Sequence, residues 1–144
     1  MSGAAQLGIP LSEAQAAQLL RLLDELDDWN QRMNLTAIRE RGQQITKHLL
    51  DSLAVHSHVR GASVADIGTG AGFPGLPLAV ALPQAQFTLV DSTAKKLKFV
   101  EHAAQTLGLH NVQTVHTRAE AWRPWRGYAA QHLWTLGEGV PANA

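Results

Sequence analysis

Two hydrophobic rhythms divide the chain near Gly61. Before it, Leu19, Leu22, Leu23, Leu26, Trp29 and Met33 recur at steps of three and four, which lays one apolar stripe along a helix. Ser12 and Gln15 form an S-x-x-Q capping box ahead of that stripe. Asp24, Glu25, Asp27 and Asp28 are expected mostly on its solvent side. A turn around Asn34-Leu35-Thr36 follows, then a second helix from about Gln44 to His58. Ile45, Leu49, Leu53 and His56 share one face of it, a stripe suited to packing on a main domain.

After Gly61 short apolar runs alternate with helical stretches. Ser63 to Ile67 reads as a strand that runs into a glycine-rich turn and then a helix opened by Pro74 or Pro77. Gln86 to Val90 is a second strand, ending at Asp91. A helix from about Thr93 to Leu107 turns Leu97, Val100, Ala104 and Leu107 inward, with Gly108 as its stop. Val112 to Thr117 is a third strand. Strand–helix–strand–helix–strand predicts an α/β fold with a parallel sheet. Such sheets bind ligands outside the carboxyl ends of their strands, where the glycine turn, Asp91 and Arg118-Ala119-Glu120 all fall.

Composition narrows the picture by exclusion. With 144 residues, 45% hydrophobic and 17% charged, the chain reads as one globular domain with a helical extension. Twelve Lys and Arg balance twelve Asp and Glu, so a nucleic-acid partner needs a local patch rather than a polycation. The absence of cysteine rules out disulfides and thiolate metal sites. No apolar run approaches membrane-spanning length, and the N-terminus reads as no signal peptide, so a cytoplasmic location is expected. Among seven histidines the one close pair is His56-Ser57-His58, whose spacing on a helix chelates poorly, so no metal is expected.

The turn Asp66-Ile67-Gly68-Thr69-Gly70-Ala71-Gly72-Phe73-Pro74-Gly75 carries the candidate chemistry. Glycines admit positive φ and a close ligand, and the following helix offers free N–H groups. Two registers compete. Gly70 to Gly75 satisfies G-x-G-x-x-G, a dinucleotide pattern, while Asp66 to Gly72 satisfies D-x-G-x-G-x-G, a pattern associated with S-adenosylmethionine. A carboxylate beside a pyrophosphate is unfavourable; beside a sulfonium and an ammonium it is a reasonable neighbour. Asp91 can accept from ribose hydroxyls in either register.

Beyond single motifs, the chain resembles the ribosomal RNA small subunit methyltransferase G family, also called glucose-inhibited division protein B. The resemblance rests on Trp29-Asn30, Asn34-Leu35-Thr36, His48-Leu49-Leu50-Asp51-Ser52 and Asp66 through Pro77. It continues through Phe87-Thr88-Leu89-Val90-Asp91-Ser92, Lys95-Lys96 and Arg118-Ala119-Glu120, and spans about residues 12–124. It implies a Rossmann-like S-adenosylmethionine-dependent methyltransferase that methylates N7 of one guanine (position 527, in the 530 loop) of 16S ribosomal RNA. By the same resemblance the cofactor would touch Gly68, Phe73, Asp91, Ala119 and Glu120, with Asp66 and Gly70 added from the glycine motif. Arg118 is the candidate functional side chain beside the cleft. Arg32, Arg39, Arg41, Lys47 and His48, with Lys95, Lys96 and Lys98, are candidate contacts to 16S ribosomal RNA or the 30S subunit.

Three segments follow: a helical extension over 1–60, a partial methyltransferase core over 61–124, and an irregular tail over 125–144. Beyond Pro124 the family pattern stops, and Trp125 to Ala144 has no period of 2 or 3.6. The expectation is that the C-terminal half of the sheet is missing, as in a truncated or out-of-frame version, leaving strand one as an unpaired edge. Two other readings stay open: an inactive remnant keeping part of the cofactor pocket, and an NAD-binding oxidoreductase.

Overall fold

The computed structural model describes residues 8–59, 63–118 and 133–135. Helix α1 spans Glu13–Asn30. Its capping box forms as expected: the Gln15 N–H donates to Ser12 Oγ at 3.1 Å, and the Ser12 N–H donates to Gln15 Oε1 at 2.8 Å. Leu19, Leu22, Leu23 and Leu26 of the apolar stripe are fully buried.

The second helical stretch begins earlier than its apolar pattern suggests, because Glu40 caps it. The Glu40 carboxylate accepts from the N–H groups of Gly42 and Gln43, both at 2.9 Å. The stretch is not one regular helix. Helix α2 (Arg41–Gln44) passes into a π-helical segment (Ile45–Leu50), then α3 (Asp51–Ala54), then a 3₁₀ turn (Val55–His58). Leu49 and Leu53 are buried as their spacing requires.

The α/β part follows the expected order: β1 (Ser63–Ile67), α4 (Gly75–Ala81), β2 (Gln86–Asp91), α5 (Ala94–Thr106) and β3 (Val112–His116). β1 pairs parallel with β2, and β2 parallel with β3. Gly108 ends α5 at φ +71°, and the N–H groups of Gly108 and Leu109 reach back to the carbonyls of Gln105 and Ala104. That is the Schellman arrangement its position predicted.

The edge of β1 departs from expectation. A short strand, β4 (Leu133–Thr135), pairs antiparallel with Val64–Asp66, giving the order β3-β2-β1-β4. It lies in the segment expected to be irregular, and three residues are too few to leave a periodic trace.

One apolar cluster joins α1, the second helical stretch, α4, α5 and a face of the sheet through Leu19, Leu26, Leu49, Leu53, Val64, Leu76, Phe87, Leu89, Phe99 and Val100. The change of rhythm at Gly61 is therefore a change of architecture within a shared core. Trp29 packs edge-on to Phe99 and against His102. Glu25, expected outside, is only 15% exposed and receives His102 Nε2 at 2.8 Å. That hydrogen bond holds its carboxyl below the usual carboxylate range.

Candidate cofactor-binding site

The glycine turn leaves β1 at its carboxyl end, beside the end of β2. The N–H groups of Gly68 and Thr69 both donate to the Val90 carbonyl, at 2.8 and 2.9 Å, so the turn is stitched to the neighbouring strand. Asp91 sits one residue further along. Its carboxylate accepts from the Gly70 N–H at 3.2 Å and from the Thr93 N–H at 3.0 Å. Asp91 thus ties the turn to the start of α5 and keeps lone pairs for a ligand at the strand end.

The glycines divide into two pairs. Gly68 (φ +74°) and Gly70 (φ +61°) border open space, where an added Cβ would meet nothing within 4 Å. Gly72 (φ +99°) and Gly75 are closed in: a Cβ on Gly72 would lie 2.8 Å from Leu76 Cγ, and one on Gly75 2.9 Å from Leu89 Cγ. Only the first pair offers bare backbone to a ligand.

Asp66 lies beneath the turn. It is 1% exposed, and its Oδ2 accepts from Thr69 Oγ1 at 2.6 Å and the Gly75 N–H at 3.1 Å. Burial pushes its pKa up to about 7, against the two hydrogen bonds that lower it, and nearby Asp91 adds a small upward push. From its place at the strand end, Asp66 was expected to neighbour the ligand. The structure instead makes it an internal tie. Thr69, the other end of that tie, had no role in the sequence reading; its hydroxyl three residues after a strand-end acid was the available signal.

Phe73 closes the turn on the side of the N-terminal segment. Its ring lies 4.9 Å from that of His48, in the π-helical segment. His48 Nε2 is 2.8 Å from Thr36 Oγ1, which accepts from the Ile38 N–H at 3.1 Å. Burial lowers the pKa of His48, favouring a neutral ring. Buried Asn30 organises the turn behind it: Oδ1 accepts from the N–H groups of Leu35 and Thr36, at 2.7 and 3.0 Å, and Nδ2 donates to the Thr36 carbonyl at 3.0 Å. The motif pieces Asn30, Thr36, His48 and Phe73 are distant in sequence yet form one chain of contacts ending at the glycine turn.

Arg118 is exposed, two residues past the end of β3, and the Thr117 N–H donates to the Asp91 carbonyl at 3.1 Å. Ala119 and Glu120 lie outside the described residues. The basic residues of the extension are not equivalent. Arg41 bridges Asp24 and Asp27, each at 2.9 Å, and Arg32 meets Asp28 at 3.4 Å. His48 is half-buried with its proton affinity lowered. Arg39 and Lys47 are the cations of that group with no acidic partner among the described residues. Among the described residues no three His, Asp or Glu side chains gather as a metal site requires, and no helix is long and apolar enough to cross a membrane.

Residues 15–131 match the family model of rRNA small subunit methyltransferase G. Relatives carry the same description. That of Hahella chejuensis is 40% identical over 142 residues, covering 96% of this chain and 65% of its own length. That of Nitrosococcus oceani is 47% identical over 118 residues, 82% of this chain and 55% of the relative. That of Saccharophagus degradans is 46% identical over 121 residues, 84% of this chain and 54% of the relative. The chain spans between about half and two thirds of the length of these relatives. With the glycine turn, Asp91 and the Asn30–Phe73 contacts all inside the matched region, the chain belongs to the rRNA small subunit methyltransferase G family.

Proposed function

We propose that this chain binds S-adenosylmethionine on the open backbone of Gly68 and Gly70 and takes part in methylating N7 of a guanine in 16S ribosomal RNA. The observation that carries the reading is the unobstructed glycine pair beside Asp91 at the carboxyl ends of adjacent parallel strands. Asp91 would hold the ribose hydroxyls, and Phe73 would wall the pocket on one side. Ala119 and Glu120 would flank the adenine. Asp66 would act through the turn, keeping Thr69 and Gly75 in place.

When bound, S-adenosylmethionine supplies a methyl group on a cationic sulfur. Guanine N7 carries a lone pair and no proton to remove, so no side chain need act as a general base. The residues of this chain contribute alignment, and proximity with orientation can supply most of the acceleration. A guanidinium does not stabilise a purine that is gaining positive charge. Arg118 therefore suits an RNA phosphate near the cleft rather than the reacting base.

Titration calorimetry with S-adenosylmethionine and, separately, NAD tests the cofactor. Heat with the first alone is expected; heat with NAD alone transfers the site to the dinucleotide reading. Radiolabelled methyl transfer to 30S particles that lack the modification tests the reaction. No incorporation at saturating cofactor would leave a cofactor-binding remnant.

A further inference from the structure

We infer that the cavity beside the Asn34–Arg39 turn receives one purine nucleotide of the RNA, its base toward the glycine turn and its phosphate on Arg39. The inference rests on the methyltransferase reading and adds where one nucleotide of the RNA is held. The cavity measures about 400 Å³ and is lined by Asn34, Leu35, Thr36, Ala37 and Arg39. That is within the roughly 300–1,000 Å³ range of clefts that hold small ligands.

Its position is the first argument. Thr36, in its wall, touches His48 at 2.8 Å, and the His48 ring lies 4.9 Å from Phe73 in the glycine turn. One side chain separates the cavity wall from the turn that would hold the methyl donor. A larger cavity of about 530 Å³ opens at the opposite ends of the strands, by Gln86 and Asn111. The side chains of Gln15, Gln18 and Asn111 there are committed to backbone carbonyls.

Chemistry is the second argument. Asn34 is exposed and offers an amide donor and acceptor, the pair that reads a base edge. Leu35 supplies apolar surface for a ring. Arg39 is exposed without an acidic partner among the described residues, while the adjacent Glu40 is spent on capping α2. The wall is also fixed in advance. Asn30 makes three hydrogen bonds to residues 35 and 36, and Gln44 Nε2 donates to the Ile38 carbonyl at 3.0 Å. RNA readers commonly take unpaired bases into such prepared sites.

Photolabelling with 8-azidoguanosine 5′-monophosphate, with S-adenosylhomocysteine at saturation, tests the inference. Label is expected on the peptide containing residues 34–39, and is expected to be lost when guanosine monophosphate or a guanine-containing single-stranded RNA competes. Label elsewhere, or none, overturns it. Asn34→Ala and Arg39→Ala alter exposed side chains, so both variants should fold. Each is expected to weaken that RNA about tenfold by fluorescence anisotropy with S-adenosylmethionine affinity unchanged; equal RNA affinity in both overturns the inference. If the unaltered protein takes no S-adenosylmethionine, the underlying reading falls; if it does and the label lies elsewhere, only the nucleotide site falls.

Discussion

The two halves of the glycine turn look alike in sequence and do opposite things. Gly68 and Gly70 are glycine because the backbone is left-handed there and the space beyond is empty. Gly72 and Gly75 are glycine because Leu76, Leu89 and Asp66 have taken the space a side chain would need. A glycine-rich motif is thus part open backbone and part packing joint. Both motif registers contain Gly70 and Gly72, so each mixes the two roles, and neither pattern by itself identifies the ligand.

The sharpest way to break this comparison is Gly72→Ala. It adds steric overlap with Leu76 to an unfavourable φ, and should cost about 2–4 kcal/mol in urea denaturation. A loss no larger than that from alanine at Gly68 would erase the distinction.

Asp66→Asn probes the joint from beneath. An acid whose folded pKa is raised to about 7 favours the protonated native state. Its contribution is whole below the ordinary carboxylate pKa and fades as pH rises through about 7. The amide oxygen can still accept from Thr69 and Gly75 but cannot ionise. Relative to wild type, the variant should gain on the order of 2–3 kcal/mol between pH 5 and pH 8. The difference between the proteins is the readout, because His48, lowered from 6.5 by burial, pulls the wild-type profile the other way. Parallel stability profiles would mean that Asp66 stays ionised in the folded state.

Gly70→Ala has the smallest effect on folding. A left-handed alanine costs about 1–2 kcal/mol, with no overlap to add. Its methyl group would stand where the ligand is proposed to lie, so S-adenosylmethionine affinity should fall at least about tenfold by calorimetry. Unchanged affinity would mean that the open face is not the binding face.

The strands β1 and β2 were legible because each is a short apolar run, the first closed by Gly68 and the second by Asp91. The capping box at Ser12 and the stop at Gly108 were legible because both depend on residues three or fewer positions from a helix end. What escaped depended on tertiary partners. The π-helical segment leaves no period distinct from an α-helix over six residues, and β4 is too short for any. Asp66 read as a ligand-facing acid because a sequence does not say which way a strand-end carboxylate turns. Arg32 and Arg41 read as RNA contacts because their carboxylate partners lie on the outer face of α1, which was itself expected to be solvated.

The glutamines of α1 have one more consequence. Gln15 Nε2 donates to the Val80 carbonyl at 3.0 Å, and Gln18 Nε2 to the Leu107 carbonyl at 2.8 Å. Both acceptors sit where α4 and α5 run out of their own N–H partners. The first helix therefore works as a clasp across the ends of the two crossover helices. Peeling it away uncovers four leucines and strands two half-buried carbonyls at once. Fraying at that terminus is thereby coupled to loss of the whole core, and a segment that looks like an appendage shares the cooperativity of the sheet.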